Sequence, residues 1–333
     1  MGSSHDNMLE DVLAIPDHLR DALWRVESAR LEGAETSGLL ICGMGGSAIG
    51  ADLAAAAFGP RLRKPMVTVR GFELPSWAAA STTVLCSSYS GNTEETISCF
   101  GGASRLEARR IVVSTGGALV DDAREKGVPV IGLPGILQPR AAVAYMFAVA
   151  AEVAAGAGVA PSLRGEIEAA AAHLEDRSES LRAAAAEIAE ELDGTVPVIC
   201  GAGLTAAVAR RWKTQVNENA KAPAFYSELP EADHNEISGW SGAPEGTALS
   251  VVMLEEAQQD GRLGRRFELT AEAIRAAGSK VVAVRAEGES RSARILEATM
   301  LGDLVSLELA SARGVDPLPV DAIERLKSAL AAS

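Results

Sequence analysis

The sequence predicts an α/β protein of two similar three-layer αβα halves, each with a mainly parallel sheet, followed by C-terminal helices. Three observations carry this expectation. Short runs rich in β-branched residues alternate with Ala-rich stretches, the pattern of parallel strands joined by crossover helices. The alternation pauses at a long helical stretch, roughly 139–193, and then resumes. The resumption GTVPVICGAGLTAA loosely echoes the earlier SGLLICGMGGSAIG, each passing from a strand into a glycine turn and then a helix, which is consistent with an internal duplication. At 333 residues the chain is long enough for two such units.

The elements follow in order. Strands are expected at 37–43, 65–71, 82–88, 109–115 and 128–133, with helices between them, completing the first half. The helical stretch that follows is broken near Gly156–Pro161, and the halves divide there, as 8–155 and 156–333. Strands resume at 195–201, 222–229, 246–254 and 279–286, and helices close the chain at 290–312 and 317–331. Met8 is taken as the start, and residues 1–7 carry no functional argument.

Composition bounds what the protein can do. A hydrophobic share of 47% fills a core, and 23% charged residues give a soluble surface, which excludes general disorder. The net charge of −14 argues against a broad face gripping nucleic acid or anionic membrane, and 4% aromatics argue against base-stacking platforms. A small anion remains open to it, because a phosphate site is built locally from backbone N–H groups and hydroxyls. The apolar stretch 141–160 is interrupted by Glu152 and reads as a buried helix rather than a membrane span. The start of the chain lacks the apolar region of a cleavable signal. Cys42, Cys86, Cys99 and Cys200 form no C-x-x-C pair and read as buried thiols, which fits a cytoplasmic setting. No H-x-x-x-H or clustered His/Asp pattern suggests a metal, so the expectation is a protein without metal or cofactor.

Two loops carry chemistry. Gly43-Met44-Gly45-Gly46-Ser47 follows the first strand, where glycines allow close backbone approach and a helix N-terminus favours an anion. A plain strand-to-helix turn explains it equally well; a dinucleotide site fits less well, since Ser47 intrudes on the fingerprint and no acidic residue ends a following strand. Ser88-Tyr89-Ser90-Gly91-Asn92-Thr93 follows another strand, with three hydroxyls and a glycine able to surround one phosphate. Helix capping by Ser90 or Asn92 is the alternative, but capping needs one such residue, not three.

These residues resemble the sugar isomerase domain of the phosphoglucose isomerase superfamily, and in particular the bifunctional phosphoglucose/phosphomannose isomerases. Ser88-x-Ser90-Gly91-x-Thr93 is similar to that domain's phosphate loop, and Gly45-Gly46-Ser47 to its sugar-contacting turn. The likeness continues through Gln138-Pro139-Arg140, Asn217-Glu218-Asn219-Ala220-Lys221, Glu231-x-x-His234-Asn235-Glu236 and Gly314-Val315-Asp316-Pro317…Leu326-Lys327, so it spans about 37–327.

The resemblance implies an isomerase that interconverts hexose 6-phosphates, glucose 6-phosphate with fructose 6-phosphate and also mannose 6-phosphate, after ring opening and through a cis-enediolate. Glu218 matches the base that moves the proton between neighbouring carbons, a task suited to a carboxylate. Arg140 matches the cation that stabilises the anionic intermediate. His234 and Lys327 match the groups that open the ring. His234 lies in the polar segment EADHNE, where no core histidine belongs, whereas His5, His18 and His173 look incidental. The residues alone also allow Glu218 and Lys327 to be surface charges near helix ends. One departure is Leu318, where the family commonly has threonine, and it bears on the mannose reaction. The resemblance further implies a homodimer in which His234 reaches the partner's site. The alternative is a non-catalytic sugar-phosphate sensor, which would need the hydroxyl loop but not Glu218, His234 and Arg140 together.

Overall fold

The computed structural model describes residues 4–242 and 248–331. Two helices, α1 (Ser4–Leu13) and α2 (Ile15–Ser28), precede the first strand; the strand-by-strand reading begins only after them. The first half runs β1 (Leu39–Cys42), α3 (Gly45–Phe58), β2 (Met66–Val69), β3 (Thr83–Ser87), α4 (Glu94–Arg105), β4 (Arg109–Ser114), α5 (Gly117–Glu125), β5 (Val130–Gly132) and α6 (Val143–Gly156). Then come α7 (Arg164–Leu192), β6 (Val196–Ala202), α8 (Ala206–Asn219), β7 (Phe225–Leu229), β8 (Leu249–Glu256), α9 (Gly261–Ala276), β9 (Lys280–Ala286), α10 (Arg291–Ala312) and α11 (Asp321–Ala331).

Prolines explain where the elements fall short of the expected ranges. Pro223 delays the strand expected from 222 until Phe225. Pro317 and Pro319 keep their neighbours extended, so the last helix starts at Asp321 rather than 317. Of the strand expected over 246–254, residues 246 and 247 lie outside the described residues, and β8 starts at Leu249 and runs on to Glu256.

Both sheets are wholly parallel. The first has the order β2-β1-β3-β4-β5 and the second β7-β6-β8-β9, so in each the second strand lies on one side of the first and the later strands on the other. A parallel sheet needs cover on both faces, and the fully buried LLIC of β1 and TVLCS of β3 show that it is covered. One core joins the halves: the inner faces of both sheets pack through α2, α3, α6, α7, α8 and α10. Smaller clusters fill the outer faces, under α4 and α5 in the first half and under α9 in the second. Helix α6, apolar all round, is buried along most of its length, and among the described residues no helix is long and apolar enough to cross a membrane. All four cysteines are buried free thiols.

Two glycines set the helix contacts that fix the site. A Cβ at Gly50 would lie 2.5 Å from Met146 Cβ, so α3 rests directly on α6. A Cβ at Gly302 would lie 2.1 Å from Trp212 Nε1, the indole of α8 that donates to Ala298 O of α10 at 2.7 Å. Gly302→Ala is therefore expected to force α10 from α8 and lower unfolding free energy by about 1–3 kcal/mol, read by urea denaturation. A change within about 0.5 kcal/mol of the parent would mean that the indole moves aside freely.

Candidate active site

The order β2-β1-β3 places the switch in chain direction between β1 and β3, where ligands of open α/β sheets bind outside the carboxyl ends of the strands. Both glycine-and-hydroxyl loops lie there. They are fastened to each other: Tyr89 N donates to Ser47 Oγ at 3.1 Å, and Ser87 Oγ donates to Ser47 O at 3.0 Å. A Cβ on Gly43 would sit 2.8 Å from Ser87 O, so only glycine lets the loops approach.

Within the second loop, Ser88 Oγ and Thr93 Oγ1 share a hydrogen bond of 2.8 Å, and Ser88 Oγ accepts from Gly91 N at 3.1 Å. Ser90 Oγ accepts from Asn92 N at 3.2 Å. Thr93 occupies the N-cap of α4 without capping it through its side chain, so the first N–H groups of that helix carry no side-chain acceptor. Asn92 turns away and accepts from Ala118 N at 3.0 Å, at the start of α5. The capping alternative thus fails for α4. The turn at Gly91, φ +68°, is obligatory, because a Cβ would collide with Gly116 O. Ser88 is buried, Thr93 half-buried and Ser90 exposed, a graded wall of hydroxyls at a free helix N-terminus.

Arg140 follows in a short helical turn, Pro139–Ala142, beside the glycine turn; a Cβ on Gly46 would meet Pro139 O at 3.0 Å. Its side chain is 3% exposed, and two of its three guanidinium nitrogens are hydrogen-bonded. Nε donates to Asn219 Oδ1 at 2.6 Å, and one terminal nitrogen donates to Pro317 O at 2.6 Å and Leu318 O at 3.1 Å. The other terminal nitrogen lies 3.9 Å from Glu218 Oε2, beyond a direct hydrogen bond. Burial pulls the Arg140 pKa down and the Glu218 carboxylate opposes that pull. The result is a fixed cation and a partly exposed carboxylate facing each other across a narrow gap.

That gap is where the halves meet. Helix α8 leaves the carboxyl end of β6 and runs back, so Glu218 at its C-terminal end lies near the amino edge of the second sheet. Arg140 stands at the carboxyl edge of the first. Strand β7 then climbs about 13 Å along the second sheet before the turn Glu231–His234. His234 is exposed at the opposite edge from Glu218, and its side chain has no hydrogen-bond partner among the described residues. Lys327 is exposed on α11 and likewise unpaired among the described residues. The structure thus gathers Gly45, Gly46, Ser47, Ser88, Ser90, Thr93, Arg140 and Glu218, and leaves His234 and Lys327 outside the cluster.

Several residues that hold this cluster were given no role from sequence. Tyr89 donates from its hydroxyl to Pro134 O at 2.8 Å and accepts from Leu137 N at 3.0 Å, pinning the segment that leads into Arg140; burial raises its pKa. Asn219 accepts from Arg140 and donates to Ser306 Oγ at 2.9 Å. Arg211 grips Asp303 with two bonds, 2.9 and 2.5 Å, and donates to Arg140 O at 3.0 Å. The available signal was spacing: Arg211, Gln215 and Asn219 recur at four-residue intervals and all are buried, a polar stripe where an apolar one is expected.

Comparison with known proteins identifies the family. Residues 182–330 match the family described as the bacterial phospho-glucose isomerase C-terminal SIS domain. The bifunctional phosphoglucose/phosphomannose isomerase of Aquifex aeolicus (strain VF5) is 35% identical over 88% of this chain and 90% of its own length. The protein of the same name from Caldicellulosiruptor bescii is 34% identical over 97% of this chain and 99% of its own. The C-terminal domain of glucosamine-fructose-6-phosphate aminotransferase from Francisella tularensis superposes with a TM-score of 0.72, covering 94% of this chain and 97% of that one at 12% identity, a likeness of fold.

The Arg211–Asp303 pair permits a direct test of what holds the site. Burial raises the Asp303 pKa while Arg211 opposes it, so the carboxylate depends on its partner. Arg211→Met is expected to lower unfolding free energy by about 3–5 kcal/mol, and Arg211→Met with Asp303→Leu to recover much of that loss, both read by urea denaturation. A double variant no better than the single one would show that the ion pair is not the source of the loss.

Proposed function

The chain belongs to the bifunctional phosphoglucose/phosphomannose isomerase family and is a sugar-phosphate isomerase, and we propose that it interconverts glucose 6-phosphate and fructose 6-phosphate, and mannose 6-phosphate as well, by proton transfer through a cis-enediolate. The observation that carries this reading is the Glu218 carboxylate held 3.9 Å from the buried Arg140 guanidinium, beside a hydroxyl-lined helix N-terminus.

The roles follow from the chemistry. The 6-phosphate sits against Ser88, Ser90 and Thr93 and the open N–H groups of α4, with the sugar passing Gly45, Gly46 and Ser47 toward Arg140. In the open-chain aldose, Glu218 removes the proton from C2, and the electron pair moves into the C1–C2 bond while O1 becomes anionic. Arg140 stabilises that charge through the terminal nitrogen that faces Glu218 and makes no hydrogen bond; the bonds at Nε and the other terminal nitrogen hold it in place, so it does so without having to reorganise. A proton passes between O2 and O1, Glu218 returns its proton to C1, and the ketose results. Ring opening before this needs an acid and a base at the ring oxygen and the anomeric hydroxyl, and His234 and Lys327 are the groups proposed for it. His234 stands at the far edge of its own sheet, which supports a site completed by the His234 of a second copy in a homodimer. Leu318 gives Arg140 its backbone carbonyl, an interaction that does not depend on the side chain at that position.

Glu218→Gln preserves shape and removes the base. Turnover of fructose 6-phosphate is expected to fall about 10²–10⁴-fold with the Michaelis constant nearly unchanged, measured in a coupled assay. Turnover within a few-fold of the parent would remove Glu218 from the reaction.

The shared site is tested by mixing. Glu218→Gln and His234→Ala proteins should each be nearly inactive, yet after subunit exchange about a quarter of all sites should hold both intact groups, since each mixed dimer forms one intact and one doubly altered site. Failure to regain activity after exchange is verified would assign both residues to one chain's site.

A further inference from the structure

The residue two places beyond the end of α8 is Lys221, with φ +52°, a left-handed conformation that glycine adopts freely and lysine rarely does. A helix stop alone would favour glycine here, so the side chain has its own reason to be present. Its Nζ reaches back to donate to Glu218 O at 2.5 Å, one of the last-turn carbonyls that a helix leaves without a backbone partner. The same Nζ donates to Pro317 O at 3.0 Å. Pro317 O also accepts from Arg140 at 2.6 Å, so the two cations converge on one carbonyl, one bearing on the Glu218 backbone and the other facing the Glu218 carboxylate.

The fold itself does not depend on this lysine. The end of α8 is fastened independently by Asn217 Nδ2 to Ala222 O at 2.8 Å, Arg313 Nε to Ala220 O at 3.1 Å and Asn219 Nδ2 to Ser306 Oγ at 2.9 Å. What remains specific to Lys221 is the link from Glu218 through the Pro317 carbonyl to Arg140. We propose that Lys221 is a positioning residue that fixes the spacing between the Glu218 carboxylate and the Arg140 guanidinium, across which the enediolate forms. The inference rests on the isomerase reading above and deepens it. Burial and the charge of Arg140 both lower the pKa of Lys221, while Asp316 and Glu218 offset them, so the like charges coexist within a shell of carboxylates.

Lys221→Gly separates position from fold, because it removes the side chain and relieves the left-handed backbone. The expected result is an unfolding midpoint equal to or above the parent's, with kcat for fructose 6-phosphate reduced about 10–100-fold and KM within about three-fold, since small misplacement of a reacting group costs turnover. Lys221→Arg, which can still donate to both carbonyls, should recover most of the lost kcat. The proposal is overturned by a Lys221→Gly protein with the parent's kcat, by a loss carried in KM, by a kcat loss that merely tracks a lower unfolding midpoint, or by an arginine variant no better than glycine. A parent enzyme that fails to isomerise any hexose 6-phosphate would instead bring down the isomerase reading itself, an outcome distinct from each of these.

Discussion

The site depends on charge buried between α8, α10 and the turn that carries Arg140. Arg140, Arg211 and Asp303 are all almost fully removed from water, and taking ions out of water costs several kcal/mol each unless every polar atom finds a partner. Nearly all are here: Asp303 accepts twice from Arg211, Arg211 donates onward to Arg140 O, and Arg140 is shared among Asn219, Pro317 and Leu318, with one terminal nitrogen left facing Glu218. Because these bonds are made across four separate chain segments, none can rotate or slide without leaving a buried charge unpaired. The network therefore acts as an orientation device rather than as a source of stability. It fixes where the end of α8 points, and with it Glu218.

The two halves repeat a construction but not a role. In each sheet the second strand and the later strands flank the first, and each first strand enters a glycine turn and a helix. In the second half the hydroxyl of that turn is spent internally: Thr205 Oγ1 accepts from Ala202 N at 3.0 Å and donates to Leu254 O at 2.6 Å. Strand β8 ends at Glu256, paired with the buried Arg294 at 2.9 Å, where the first half has its serines and threonine. A carboxylate and an ion pair at that position repel or displace an anion. The first half keeps the hydroxyl loop at its strand ends, and the second contributes the C-terminal end of α8 instead.

This division explains what could be read from the sequence. Strands β1, β3, β6 and β8 are apolar runs, and the first three enter glycine turns or a hydroxyl- and glycine-bearing loop, so local pattern suffices to find them. The Ser/Thr loop was legible for the same reason, since its residues are consecutive. Asn219, Arg211 and Tyr89 were not, because each acts on a segment far away in sequence: Arg211 on Asp303 and Asn219 on Ser306 across the helix pair, Tyr89 on the strand-to-turn connection before Arg140. A buried arginine in a helix looks like a surface arginine until the facing helix is known. Lys221 was hidden differently, as its left-handed backbone is a property that only coordinates reveal. Helices α1 and α2 were given no bounds, because no strand precedes them to set the alternation.

The same distinction orders the four residues that the family resemblance nominated for chemistry. Arg140 is bedded in the buried network, and Glu218 projects from a helix end that the network clamps. His234 and Lys327 sit on elements with little support: a short turn beyond the edge strand β7, and α11, whose residues are exposed throughout 321–330. On α11, Lys327 shares a helix face with Ile323, Leu326 and Leu330, all left open to solvent in a single chain. Proton transfer between adjacent carbons tolerates little misplacement, because base and stabilising cation must both meet atoms about one bond length apart. Ring opening asks less, since the ring oxygen and hydroxyl can be served by groups that approach from outside. The fold thus concentrates its buried, over-determined bonding where positional tolerance is smallest, and leaves the less demanding groups on elements that an approaching surface could set in place.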